Sequence, residues 1–298
     1  MIEVLEPGAF TTVQDRGRPG FERFGISPGG PVDWFAARAA NHLCGNHEDA
    51  ALLECTLVAP TLRFHAPARI ATTGGAVGSV PMWTAHAVAG GHVLALGRIR
   101  PGLRTYVAVR GGLDVQPVLG SRAVCQLGRF GGGFGRPLRA GDRLPIGAAA
   151  STDPAPSAWP AAHRLPLHGP WEVRAIPGPH DGVFPPQSLR RLCDTALRVT
   201  PRIDRMGMRL ESPALRLQPE EIVTTGVPVG AIQVTPSGEL IILLAEHQTT
   251  GGYPVIATVI GADLPLLAQA RPGDTIHLRL CGLDEARRAH RRLDAWFT

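Results

Sequence analysis

Between Thr61 and Ile146 the sequence breaks into brief branched or apolar runs, each cut off by glycine or proline. The runs are Thr61 to Phe64, Ala68 to Thr72, His92 to Leu96, Arg104 to Val109 and Arg143 to Ile146. Runs this short are strands rather than helices, and turn residues at this spacing let each strand fold back beside a neighbour. A chain built this way closes its sheets into a barrel or stacks them as a sandwich. The 28 prolines and 36 glycines supply the turns that such an arrangement needs.

The pattern occurs twice. Residues 1–150 end in Arg139-Ala140-Gly141-Asp142-Arg143-Leu144, and a second strand-rich stretch, residues 171–282, ends in Arg271-Pro272-Gly273-Asp274-Thr275-Ile276. Each half carries one short helix, the first after Asp33 and the second over roughly Pro186 to Cys193. Proline at the start of Pro31-Val32-Asp33-Trp34, an alanine-rich body and Gly45 just past the end specify the first of these. Residues 151–170, rich in alanine, serine and proline without periodicity, read as a linker, and residues 283–298 read as a helical tail. The expectation is a mostly β protein made of two small barrel domains, each with short helices.

Every basic residue among the 30 is arginine. The absence of lysine removes Schiff-base chemistry, a phosphate-loop lysine and covalently attached biotin from this chain, so ATP or biotin would be carried by a partner. A formal charge of +5 with arginines scattered among acids gives no basic stripe for nucleic acid. No run is long enough to span a membrane, the first residues are acidic, and the five cysteines form no CxxC pair. A reduced, cytoplasmic chain is expected. The histidine spacings, such as His42 with His47, lack an acid-cysteine set and predict no metal site.

One stretch concentrates chemistry. The apolar run Leu240 to Ala245 delivers Glu246, His247, Gln248, Thr249 and Thr250 into Gly251-Gly252-Tyr253-Pro254. This many hydrogen-bonding groups beside a Gly-Gly turn suits a pocket for a planar amide, urea or carboxylate. A tight hairpin whose hydroxyls satisfy their own backbone is the alternative. If Pro236-Ser237-Gly238 closes a hairpin, Gln233 comes into the neighbourhood of Gln248. Further candidates are Gln14 and Asp15 in a Thr-Thr-Val-Gln-Asp-Arg stretch, Asp33, Asn41 on the helix, and Asp204 with Arg205 before Met206-Gly207. For Asp15, pairing with Arg16 or Arg18 in a charged turn is the competing reading. Glu54, embedded in Leu52-Leu53-Glu54-Cys55, is read as a buried structural group held by an arginine or a backbone amide. Gly128 to Arg136 fails the phosphate-loop context, because a strand pattern follows it, and reads as a plain turn, with a lid over a pocket as the alternative.

The blocks 11–18, Gly30 to Asp33 with Asn41 to Asn46, Leu53 to Leu57, Asp204 to Gly207 and His247 to Pro254 resemble, in order, the carboxyltransferase-domain family of urea amidolyase, which includes the C subunit of prokaryotic 5-oxoprolinase. The resemblance covers nearly the whole chain and implies a pair of cyclophilin-like β-barrels. It also implies a ligand face containing Gln14, Asp15, Asp33, Asn41, Asp204, Arg205, Gln248, Thr249, Gly251, Gly252 and Tyr253. Ile203 and Val255 depart from the family pattern.

The function so implied is ring opening of 5-oxoproline to L-glutamate, in a complex with the A and B subunits of 5-oxoprolinase and with ATP on a partner. Gln248 and Gln233 would hold the lactam, Arg205 the substrate carboxylate, and Asp204 or Asp15 would orient a proton transfer. Gln248, Asp204 and Asp15 thus carry the catalytic assignment, with Thr250 among the binding residues. The alternatives are the carboxyltransferase component of a urea carboxylase, with biotin on a partner, and a non-catalytic partner of a kinase-inhibitor-like protein.

Overall fold

The computed structural model describes residues 1–149, 157–211 and 222–297, so the first part of the expected linker, 151–156, lies outside the described residues. The chain divides into two compact units. Unit 1 holds residues 1–19, 29–167 and Phe297, and unit 2 holds residues 20–28 and 168–296.

In unit 1 the first two strands are β1 (Ile2–Glu6) and β2 (Phe10–Gln14), separated at Pro7-Gly8. Helix α1 (Trp34–Cys44) forms where the sequence predicts. Asp33 caps it by accepting a hydrogen bond from the Ala36 N–H at 2.8 Å, and Gly45 ends it at φ 67°, a backbone conformation that a Cβ would strain. The remaining strands are β3 (Leu52–Thr56), β4 (Val58–Phe64), β5 (Ala68–Gly74), β6 (Thr84–Val88), β7 (Val93–Arg98), β8 (Arg104–Val109) and β9 (Arg143–Leu144). They pair as one sheet in the order β7-β4-β1-β9 and another in the order β2-β3-β8-β5-β6. A core of Val4, Val13, Leu53, Leu62, Phe64 and Ile70 lies among these strands. Within the expected linker, Trp159 is buried and meets the Phe35 ring edge-on at 5.9 Å between centroids, so residues 157–167 contribute to unit 1.

Unit 2 is a closed barrel. Its strands are β10 (Trp171–Pro177), β11 (Leu197–Ile203), β12 (Gly207–Glu211), β14 (Ala231–Val234), β15 (Leu240–Leu243), β17 (Val255–Val259) and β18 (Thr275–Leu280), in the circular order β10-β17-β14-β15-β12-β11-β18. A short ribbon, β13 (Thr225–Gly226) with β16 (Thr250–Gly251), forms a separate two-stranded sheet. The helices are α2 (Ser188–Cys193), α3 (Leu264–Gln269) and α4 (Leu283–Asp294), the last being the helical tail expected from the sequence.

Alternation along the strands sets the faces. Met208, Leu210, Ile232, Val234, Leu240 and Ile242 are at most 2% exposed. Each contributes about 1.5–3 kcal/mol on burial. The residues between them, Arg209, Gln233 and Ile241, therefore point to the opposite face. Registers pair Arg209 with Ile241 and Ile241 with Gln233, which places these three in one cross-strand row. The fold is mostly β, as expected; the closed barrel is formed by unit 2, while unit 1 carries two sheets of four and five strands.

Candidate functional site

The row Arg209-Ile241-Gln233 forms part of the wall of a cavity of about 520 Å³ in unit 2. Its polar walls are Arg202, Asp204, Arg209, Gln233, Gln248 and Tyr253, and Ile203, Ile241 and Leu243 give it an apolar side. Polar groups converging on a recess with one apolar side suit a small molecule that must be oriented as well as held.

Two glutamines dominate its chemistry. Gln248 Nε2 donates to Gln233 Oε1 at 3.1 Å, and Gln233 Nε2 donates to the Tyr253 carbonyl at 3.3 Å. Gln233 is 1% exposed, so its amide is fixed by these bonds rather than by water. The chain leaves Gln248 Oε1 and one Gln248 N–H unengaged by protein groups among the described residues. Those are one acceptor and one donor on a single planar group, the complement of an amide edge. Gly251 makes the arrangement possible, since a Cβ there would come within 2.7 Å of Gln233 Nε2 and 3.4 Å of Gln248 Nε2.

Asp204 lines the same cavity and closes a turn, its Oδ1 accepting from the Met206 N–H at 2.7 Å and the Gly207 N–H at 3.0 Å. His247, buried beside Gln248, has its imidazole Nδ1 2.6 Å from the Gln248 carbonyl oxygen. Burial pushes its pKa below the usual value, while the Gln248 carbonyl and Glu22 oppose that shift.

The structure brings Asp204, Gln233, Gln248 and Tyr253 together, with Gly251 against the two amides, and sends the other sequence candidates elsewhere. Arg205, expected to hold a substrate carboxylate, is 2% exposed and pairs with buried Glu246, Nε to Oε1 at 3.6 Å; it does not line the cavity. Burying a guanidinium requires a charge partner, and the sequence holds that partner at a distance of forty-one positions only through β12 and β15. Thr249, Thr250 and Gly252 do not line it either. The Thr249 carbonyl accepts from the Val227 N–H at 3.1 Å, and Thr250 and Gly251 form the ribbon with Thr225 and Gly226.

Four candidates belong to unit 1. Asp15, expected in proton transfer, ties loops: its Oδ1 accepts from the Gly17 N–H at 2.9 Å and Ser121 Oγ at 2.6 Å, and its Oδ2 from the Arg122 N–H. Gln14 is fully buried and donates to Thr12 Oγ1 at 3.0 Å. Asp33 is the cap of α1. Asn41 donates to the Ala50 carbonyl at 2.8 Å and anchors the loop after the helix. Glu54 is the buried structural group anticipated, accepting from the Val32 N–H at 2.8 Å and the Tyr106 hydroxyl at 2.7 Å.

Sequence reasoning missed Arg202 and Arg209. Both guanidinium groups converge on the carboxylate of Glu239, Arg202 on Oε1 and Arg209 on Oε2. The signal available was alternation: Met208 and Leu210 face the core, so the arginine between them faces away.

A closed β-barrel carries a cavity walled by paired amides, an acid and two arginines, groups whose hydrogen-bonding chemistry suits a small amide-like or anionic molecule. Residues 24–280 match the family model described as carboxyltransferase domain, subdomain A and B, and the chain belongs to this family. It is 37% identical to the 5-oxoprolinase C subunit of Escherichia coli over 100% of this chain and 96% of that relative. It is 34% identical to urea amidolyase of Lachancea kluyveri over 99% of this chain but 18% of that protein. The crystal structure of the K. lactis urea amidolyase superposes with a TM-score of 0.91 at 31% identity, covering 99% of this chain and 20% of that one. Among the described residues no helix is long and apolar enough to cross a membrane.

Proposed function

We propose that this chain is the C subunit of an ATP-dependent 5-oxoprolinase and works with the A and B subunits to open the lactam of 5-oxoproline to L-glutamate. The observation that carries the reading is the 37% identity to the 5-oxoprolinase C subunit of E. coli across 96% of that relative, a match of whole chain to whole chain. The cavity supports it chemically. A lactam presents a carbonyl acceptor and an N–H donor on one edge, and Gln248 offers a donor and an acceptor on one plane, held in place by Gln233. Asp204, the one candidate acid that lines this cavity, is the group to accept or relay a proton as the ring opens. Activation by ATP belongs to a partner, since this chain has no lysine for a phosphate loop.

A second reading is favoured by the TM-score of 0.91 to the urea amidolyase structure, of which this chain spans 20%. In it the same amides position urea for carboxyl transfer from biotin carried by a partner. The two are separated by assaying ATP-dependent glutamate release from 5-oxoproline by the chain mixed with partner subunits, with and without avidin. Avidin-insensitive glutamate that vanishes when this chain is omitted supports the first reading. Avidin-sensitive carboxylation of urea without glutamate overturns it in favour of the second.

A further inference from the structure

We infer that Arg202 and Arg209 form a carboxylate subsite of the unit 2 cavity, and that Glu239 is its intramolecular stand-in. The inference rests on the proposed function for the identity of the substrate but not for the chemistry of the subsite. Both arginines line the cavity, and each takes one oxygen of the same carboxylate, Arg202 the Oε1 and Arg209 the Oε2 of Glu239. Two guanidinium groups already converging on the two oxygens of one carboxylate are arranged for any carboxylate that reaches them.

Position supports this. Arg209 and Gln233 flank Ile241 in one cross-strand row, so their backbones are roughly 10 Å apart, two strand spacings. An extended arginine and a glutamine reaching over the intervening isoleucine leave room between their ends for a small molecule with a planar amide at one end and a carboxylate at the other. The cavity volume of about 520 Å³ accommodates such a ligand.

Glu239 is well placed to yield. The side chains of Arg202 and Arg209 are 64% and 37% exposed, and ion pairs this open to water are weak. Glu239 is itself held at the end of the β14–β15 hairpin, where its N–H donates to Thr235 Oγ1 at 3.0 Å. An incoming carboxylate would therefore share or replace its contacts without unfolding the hairpin. Arg205, by contrast, is closed off with Glu246.

The test is calorimetric titration of the full-length chain with 5-oxoproline, with 2-pyrrolidone, which keeps the lactam and lacks the carboxylate, and with propionate, which keeps only the carboxylate. The wild-type chain should bind 5-oxoproline about tenfold or more tighter than 2-pyrrolidone, as expected when two charge-assisted contacts are added. The double variant Arg202→Gln, Arg209→Gln should bring that ratio close to one while leaving 2-pyrrolidone binding unchanged. Glu239→Gln should tighten 5-oxoproline severalfold by releasing both guanidinium groups. Circular dichroism confirms that each variant is folded. A preference that survives the double variant overturns the subsite, as does a wild-type chain that binds neither acid. Propionate binding lost in the double variant, with no binding of either lactam, keeps the subsite and removes support from the oxoprolinase reading instead.

Discussion

Gln248 donates to Gln233 across 3.1 Å although fifteen positions separate them, and Gly251 leaves the space in which the two amides meet. The hairpin between β14 and β15 brings Gln233 alongside Ile241, and the chain then runs only from Leu243 to Gln248 before it returns to the same wall. Paired amides held this way are preorganised, so a substrate meets donors and acceptors that need not be reoriented.

The steric role of Gly251 yields a substitution that moves the amide without touching it. In Gly251→Ala the new methyl meets Gln233 Nε2 at 2.7 Å, and the flexible amide end, rather than backbone, must give way. We expect the folded state to survive with a melting temperature within a few degrees of wild type. Turnover of the assembled complex should drop by about tenfold to a hundredfold, the scale of a small misplacement of a positioning group. Steady-state kinetics beside a thermal melt checks both halves; a complex with full activity would show that the amide position is immaterial.

A second prediction concerns the support beneath α1 in unit 1. The Tyr106 hydroxyl donates to Glu54 Oε2 at 2.7 Å and accepts from the Asp33 N–H at 2.8 Å, and the residue is fully buried. Tyr106→Phe removes both bonds where water cannot replace them, and should cost about 1–3 kcal/mol of stability. Urea denaturation measures it, with an unchanged slope expected because the surface exposed on unfolding is the same.

The pH dependence of unit 2 follows from His247. Burial lowers its pKa in the folded chain below the ordinary 6.5, so the unfolded chain binds the proton more readily. Stability is therefore fully present above about 6.5 and is lost as pH falls below it toward the folded pKa. In unit 1, half-buried His42 and His86 have the same sign. The denaturation midpoint should be lower at pH 5 than at pH 7.5, and His247→Gln should shrink that difference. A variant with the wild-type pH slope would remove His247 as a source of it.

Thiol chemistry separates the cysteines. Burial pushes Cys44 and Cys55 up to about 12, so neither carries appreciable thiolate near neutral pH. Alkylation with iodoacetamide at pH 8 should leave both unmodified in the native chain and label both after unfolding, as read by peptide mass spectrometry. Cys193, half-buried, should react first.

Local signals carried much of this site and none of its long-range ties. Short runs cut by glycine and proline pointed to barrel strands, and the Pro236-Ser237-Gly238 turn pointed to Gln233 beside Gln248, because hairpin pairing is a local property. Asp15, Asp33 and Asn41 are polar residues near turns, and their structural duties depend on Ser121, Ala36 and Ala50. Of these only the Asp33 cap is written nearby in the sequence. Arg205 carried the right charge for a carboxylate, but its partner Glu246 is supplied by another strand connection. Alternation between Met208 and Leu210 turns Arg209 away from the core, but among thirty arginines nothing local joins it to Arg202, and only the barrel places both on one wall.

In the proposed function the amide pair in the unit 2 cavity serves lactam opening. The most direct test reconstitutes the complex from partner subunits with either the wild-type chain or Gln248→Leu, and follows ATP-dependent glutamate release from 5-oxoproline. We expect the variant to join the complex yet release glutamate at least about a hundredfold more slowly, as loss of a preorganised polar contact would give. Wild-type glutamate release by a complex carrying Gln248→Leu would contradict it.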